Sequence, residues 1–360
     1  MSAPALHLRG PVLVDPEEVR NQAWVVGGRL TFDRPLADTV AIEGWVLPGL
    51  VDAHCHVGLG PYGAVDEATS EAQACTNRDA GALLLRDAGS AANTRWMDER
   101  EDLPELIRAG RHIARPRRYL RDHAEEVEPA DLAAEVVRQA GRGDGWVKLV
   151  GDWIDRETGD LAPCWPRSAL HAAISAAHAA GARVTAHCFG ESALADLVEA
   201  GIDCVEHATG LDAATLPLLA DRGVAIVPTL VNIETFPHIA TSAQAKFPTY
   251  ARHMRTLHAR RYDTVRDAHD AGLAIYAGTD AGGSLAHGLV GEEVLQLAAA
   301  GLPPLVALSA ATWGARSWLR RDGLIEGAFA DLVVYGTDPR ADLEVLRTPA
   351  AVVLRGVVRA

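Results

Sequence analysis

The sequence predicts an α/β protein: a (β/α)8 barrel carrying a small β-sandwich built from both termini. Three observations lead there. Apolar, buried-looking runs alternate with helix-like runs through the middle of the chain, both ends read as short strands and turns, and histidines and one aspartate fall at the ends of the apolar runs. Parallel strands covered on both faces are near-continuous apolar runs, and the chemistry of such a barrel sits at the C-terminal ends of its strands. A length of 360 residues, 48% of them apolar, suits one large barrel with an appendage. A doubly wound open sheet is the alternative, but no GxGxxG follows the first strand to support a nucleotide-binding version.

Taken in order, LHLRG, PVLVD, AWVVGGRLTF and VAIEGWVLPG are β-branched stretches between Gly, Pro and Asp. The same texture returns after Gly323, in LIEGAFADLVVYG and VLRTPAAVVLRGVVRA. Residues 1–47 and 324–360 are therefore expected to form one sandwich, since sheets of that size need a partner for their apolar face, with the barrel over 48–323. The barrel strands are expected at LVDAHCH, 81–89, the neighbourhood of 111–116, 146–151, 182–190, 203–210, 224–230 and 273–283. Helical stretches over 167–181 and 191–201 each end on a glycine. The excursion over 231–266, after the seventh strand, is where a lid or substrate loop would lie.

Charge and composition narrow the partners. A net charge of −14 argues against nucleic-acid backbones and acidic membrane surfaces. No run of eighteen apolar residues occurs, and the N-terminus lacks the basic start and apolar stretch of a signal peptide. The five cysteines, Cys55, Cys75, Cys164, Cys188 and Cys204, include no CxxC pair and read as reduced thiols of a cytoplasmic protein, with Cys55, Cys188 and Cys204 as small buried strand residues. A small-molecule substrate is the expected partner, and homo-oligomerisation is left open.

The strand ends carry the chemistry. In LPGLVDAHCHVG, His54 and His56 are two residues apart, so on a strand both point to one side; neutral imidazole is the commonest metal ligand. The fourth strand carries Lys148, the fifth ends in His187, the sixth in His207 and the eighth in Asp280. A lysine inside an apolar strand is costly unless paired or modified. Reaction with carbon dioxide would turn it into a carbamate able to bridge two cations. Four imidazoles, a bridging carbamate and a carboxylate make a two-metal site, with Zn²⁺ the first choice. Two such ions about 3.5 Å apart can share a water and polarise a carbonyl, while Asp280 moves the proton.

At these motifs the chain resembles the amidohydrolase superfamily. PGLVDAHCHVG, WVKLV, AHCFG, EHATG and GTDAG, with SAATWGARSWL and GLIEGAFADLVVYGTDP near the end, carry the likeness over nearly the whole chain. It implies a TIM barrel in which His54, His56 and Asp280 hold one ion, His187 and His207 the other, and carboxylated Lys148 bridges them. Within the superfamily the likeness is to the prolidase and imidazolonepropionase branch, carried by GTDAGGSLAHGLVGEEVLQLAAAGLPPLVALSAAT. The implied reaction is hydrolysis of a C–N bond in a dipeptide, N-acyl amino acid or cyclic amide. Lactonase, phosphotriesterase and deaminase chemistries are the rivals. The loop RRYLRDHAEE departs from the Gly- and His-rich loop of that branch. Candidate substrate contacts are His287, Arg118, Tyr119, His123 and Asn232, with His238 beside the last. Arg118 could grip a carboxylate in bidentate fashion. Arg86 and Asp87 read as a structural pair, and Trp146 and Trp153 as core.

Overall fold

A computed structural model describes residues 4–360. The terminal strands are present, but they pair edge to edge in one eight-stranded sheet rather than stacking as the two sheets of a sandwich. The hinge of this arrangement is the strand Trp45–Pro48. It pairs antiparallel with Leu332–Tyr335 from the C-terminus and, through Val46, parallel with Ala5–Leu13 from the N-terminus. Strand periodicity then feeds two cores. Val46, Leu332, Val334 and Val353 join Leu6, Leu8 and Val25 in an appendage core. Their alternating neighbours Leu47, Val333, Val352 and Leu354 pack into the main core of the α/β body.

The body contains parallel strands in two groups. The first orders Glu105–Arg108, Ala82–Asp87 and Leu50–Cys55; the second orders Ala124–Glu126, His112–Ala114, Trp146–Val150, Arg183–Cys188, Cys204–His207 and Ala225–Val227. Two seams separate them, and both differ from the expected regular barrel. The third strand starts earlier than the 111–116 region and is broken. Gly110, at φ +72°, divides Glu105–Arg108, which pairs with the second strand, from His112–Ala114, which pairs with the fourth. A side chain at 110 would strike Gln139 at 2.7 Å.

The other seam is the expected eighth strand. Residues 274–281 form no regular ladder, yet they span between the seventh and first strands. Tyr276 N donates to Ile226 O (3.0 Å), Ala53 N to Ala277 O (2.8 Å), Asp280 N to His54 O (2.7 Å) and His56 N to Ala281 O (2.8 Å). The glycines of GTDAGG explain the close approach: a Cβ on Gly278 would meet His54 N at 2.6 Å, and one on Gly282 would meet His56 O at 2.7 Å.

Helix Arg167–Ala179 and helix Leu194–Ala200 fill the expected positions, the second closed by Gly201 at φ +93°. The 231–266 excursion is helical rather than a loop, with segments Leu230–Ile233, Phe236–Ala243, Pro248–Ala259 and Arg261–Asp270. Its residues Phe236, Tyr250, Met254 and Leu257 form a separate apolar cluster with Leu161 and Phe189, so it sits as a cap over the ends of the fourth and fifth strands. No helix among the described residues is long and apolar enough to cross a membrane.

Candidate metal centre

The strand ends bring all six expected ligand residues into one cluster, five of them buried and Asp280 partly exposed. His54 and His56 lie at the end of the first strand, with their Nε2 atoms 3.2 Å apart. Asp280 Oδ1 lies 3.0 Å from His54 Nε2 and 2.8 Å from His56 Nε2. Across the cluster, His187 Nδ1 lies 3.0 Å from His207 Nε2. Lys148, 1% exposed, reaches within 3.5 Å of His54 Nε2. Donor atoms of His54, His207 and Asp280 all lie within 4.8 Å of one another, so the two histidine pairs face a shared space. Imidazole nitrogens and a carboxylate converging in a buried pocket are the donor chemistry of a divalent first-row metal, and the residues fit such a group.

Further residues hold these in place. His54 Nδ1 lies 2.8 Å from Glu206 Oε2, His56 Nδ1 2.7 Å from Gly89 O, and His207 Nδ1 2.7 Å from Thr229 Oγ1. Asn232 Nδ2 donates to Asp280 Oδ2 at 2.7 Å, and the short helix carrying Asn232 is fixed because Glu293 accepts from Leu230 N and Val231 N, both at 2.8 Å. Asp52 accepts from Thr279 N (3.0 Å), Thr279 Oγ1 (2.6 Å) and His54 N (3.2 Å), tying the first strand to the segment bearing Asp280.

Burial sets the electrostatics. Burial, reinforced by Lys148, drives His187 down to about 3, and burial drives His207 well below the ordinary imidazole value, so both are neutral and able to ligate. Burial and Lys148 also push on His54, but Glu206 and Asp280 outweigh them and hold it above its usual value. Burial lowers the Lys148 ammonium, which favours the free amine. Burial opposes ionisation of Asp280, yet the adjacent imidazoles, His54 first and then His56, hold it well below the usual carboxylate range.

The expected substrate contacts divide. Asn232 and Tyr119 are at the site; the Tyr119 ring lies 5.7 Å from His187 and 4.8 Å from Trp153. Arg118 is engaged elsewhere. It donates to Asp155 (3.0 Å), Trp153 O (3.1 Å) and Ala162 O (2.8 Å), pinning the hairpin of Asp152–Asp155 and Asp160–Pro163 rather than offering its fork to a substrate. His123 turns to Arg121 O (2.8 Å) and His238 is exposed. His287 is held by Asn77 at 3.0 Å, and no hydrogen bond joins it to the ligand residues among the described residues.

Trp153 lies partly exposed with its ring 5.3 Å from His187, so it lines the site as well as packing. Phe189, 4.3 Å from His187, completes this aromatic wall. Sequence reasoning missed Phe189 and also His112, a buried residue on the third strand whose ring lies 4.9 Å from His56. It missed Glu206 and Asp52 too, although a carboxylate inside an apolar strand was the available signal. Cys55, Cys164, Cys188 and Cys204 are buried and free, Cys75 half-buried and free.

Comparison with known proteins gives the family and the fold. The model of the amidohydrolase family matches residues 45–359. The chain belongs to the amidohydrolase family. Among curated relatives of this chain, the uncharacterized protein Rv2915c of Mycobacterium tuberculosis is 55% identical over 354 residues, covering 98% of this chain and 95% of that one. The amidohydrolase fold extends to solved structures of low identity. A Xaa-Pro dipeptidase with bound methionine in the active site superposes with TM-score 0.83 at 22% identity, covering 99% of both chains. A prolidase complexed with N-methylphosphonate-L-proline gives 0.80 at 22%, covering 99% of both. The A. niger ochratoxinase gives 0.79 at 20%, covering 99% of this chain and 96% of that one.

Proposed function

We propose that this amidohydrolase cleaves the C–N bond of a small amide, in a dipeptide, N-acyl amino acid or cyclic amide, at a site holding two divalent metal ions, zinc first among them. His54, His56 and Asp280 would hold one ion, His187 and His207 the other, with a carbamate on Lys148 between them. When bound, the ions supply the Lewis acidity that activates water and polarises the scissile carbonyl. The remaining work falls to the chain. Asp280 accepts the proton from the attacking water and delivers it to the leaving nitrogen. Asn232 holds Oδ2, which leaves Oδ1 on the His54 and His56 side. Tyr119, Trp153 and Phe189 offer an apolar face beside His187, which supports a substrate with an apolar group next to the amide.

One observation supports the reading above the others: a lysine 1% exposed and 3.5 Å from His54 Nε2. A mononuclear deaminase has no use for it, whereas a carbamate bridge does. The test is to measure metal content and turnover of zinc-loaded protein on dipeptide, N-acyl amino acid and cyclic amide libraries, with lactones and phosphotriesters alongside. The expected result is close to two ions per chain and activity confined to amides. Lys148→Ala should lose metal and activity together, with partial recovery in small carboxylic acids. A fully metallated, active Lys148→Ala protein would overturn the carbamate, and turnover of lactones alone would reassign the reaction.

A further inference from the structure

Glu206 is fully buried and every polar neighbour it touches is a potential donor. Its Oε1 accepts from Arg86 Nη2 (2.5 Å) and from the Thr185 hydroxyl, and its Oε2 lies 2.8 Å from His54 Nδ1. Arg86 is also fully buried. Its Nε donates to the carbonyl of Ala53, the residue before His54, at 2.6 Å, and its guanidinium lies over the Trp146 and Trp318 rings at 4.6 and 4.9 Å. One immobilised cation therefore references both the backbone leading into His54 and the carboxylate facing its ring. A carboxylate can only accept here, so Nδ1 of His54 must carry a proton, and in the neutral ring that leaves Nε2 as the lone-pair atom. Nε2 is the atom that faces His56, Asp280 and Lys148.

We propose that Glu206, oriented by Arg86 and Thr185, is a positioning residue that fixes the tautomer of His54 and so makes Nε2 a metal ligand. This rests on the metal reading above. Outer carboxylates that orient ligating histidines characteristically change metal affinity by about 10–100-fold when removed.

The informative variant is Glu206→Gln, which keeps the shape. Arg86 offers only donors, so the amide oxygen must turn to it and the amide NH₂ must face His54 Nδ1. That forces Nδ1 to accept, moves the ring proton to Nε2 and blocks the ligand atom. Zinc affinity, measured by competition with a chromogenic chelator, should fall by about 10–100-fold, and the electronic spectrum of the cobalt-substituted protein should lose one nitrogen ligand's contribution. The double variant Arg86→Met/Glu206→Gln frees the amide to rotate and accept from His54, so it should recover part of the affinity lost in the single variant. A merely structural pair predicts the reverse order, the double variant being the worse. Should Glu206→Gln not fold, Glu206→Asp carries the test, because its shorter carboxylate cannot reach Nδ1 from the same backbone and affinity should again fall. Zinc affinity within twofold of wild type in a folded Glu206→Gln or Glu206→Asp protein overturns the inference. His54→Ala separates this from the metal reading: if it too binds two ions with unchanged affinity, the ligand assignment of His54 fails rather than the role of Glu206.

Discussion

The two histidine pairs of the centre are oriented by different kinds of partner. On one side, His54 and His56 turn Nδ1 to groups that only accept, the Glu206 carboxylate at 2.8 Å and the Gly89 carbonyl at 2.7 Å. Both rings are thereby locked with Nε2 facing inward. On the other side, His207 turns Nδ1 to the Thr229 hydroxyl, which can donate or accept. His187 Nε2 has no hydrogen-bond partner among the described residues, the nearest carboxylate oxygen being Asp152 Oδ1 at 3.9 Å. The first pair is preorganised and the second is free to choose its tautomer. Preorganisation lowers the cost of binding, and the proposed ion on the first side also has one more protein ligand, so the halves should differ in affinity.

The largest expected effect tests whether chemistry and ligation separate on the preorganised side. Asp280→Asn keeps the Asn232 and histidine contacts in shape but cannot take the proton; kcat should fall by about 10²–10⁴-fold with metal content only modestly lower. Near-normal turnover would move the proton to another group. Next, titration with a chelator should remove the ions in two steps, their affinities differing by about 10–100-fold. His187→Ala should abolish the weaker step and His54→Ala the tighter one. A single step with equal affinities would break the comparison. Smaller again, Trp153→Ala should raise KM by about tenfold with kcat little changed, as expected for loss of uniform binding on the His187 side; a fall in kcat alone would show that the wall acts in the transition state instead.

The smallest effect concerns the helical cap. His253 lies 2.9 Å from Asp160 and 3.0 Å from Glu191, and Arg260 also donates to Glu191 at 2.9 Å. The Glu191 hydrogen bond, helped by Asp160 and opposed by burial, raises His253 to about 9. A raised folded value means the contribution is complete below the ordinary imidazole range and is lost as pH rises through about 9. The melting temperature should therefore fall between pH 7 and 10 by on the order of 1–3 °C more in the wild type than in His253→Gln. Parallel pH profiles would remove His253 as a fastening of the cap.

Much of the candidate site was legible because side chains of a barrel-like α/β body converge at the C-terminal ends of its parallel strands. An apolar run ending in His54 and His56, or carrying Lys148, announces both the strand and its chemistry. The partners were less legible because they are remote in sequence: Glu206 lies 152 residues from His54, and Thr279 lies 227 from Asp52. Composition says that a buried carboxylate needs a donor, not which one. Arg118 shows the converse, since a guanidinium in a charged loop looks free until the hairpin that consumes it is folded. The terminal strands were readable as strands, but edge pairing against face stacking depends on register at Trp45–Pro48, which β-branched texture does not encode. The irregular eighth segment follows from glycines that allow close approach to His54 and His56, so the pattern that marked Asp280 also spoiled the ladder.

Three residues of the site, His207 at φ +64°, Thr229 at φ +53° and Asp280 at φ +61°, stand in the left-handed region without being glycine. For a β-branched threonine this is a true outlier, and each such residue costs on the order of 1–3 kcal/mol that the surrounding body must offset. Selection for heat resistance alone would therefore drift toward glycine or asparagine at these positions and dismantle the catalyst as it succeeded. A thermostable homologue that still turns over substrate must find its extra stability elsewhere, in the appendage core or the helical cap, and leave the strained ends of the sixth, seventh and eighth segments as they are.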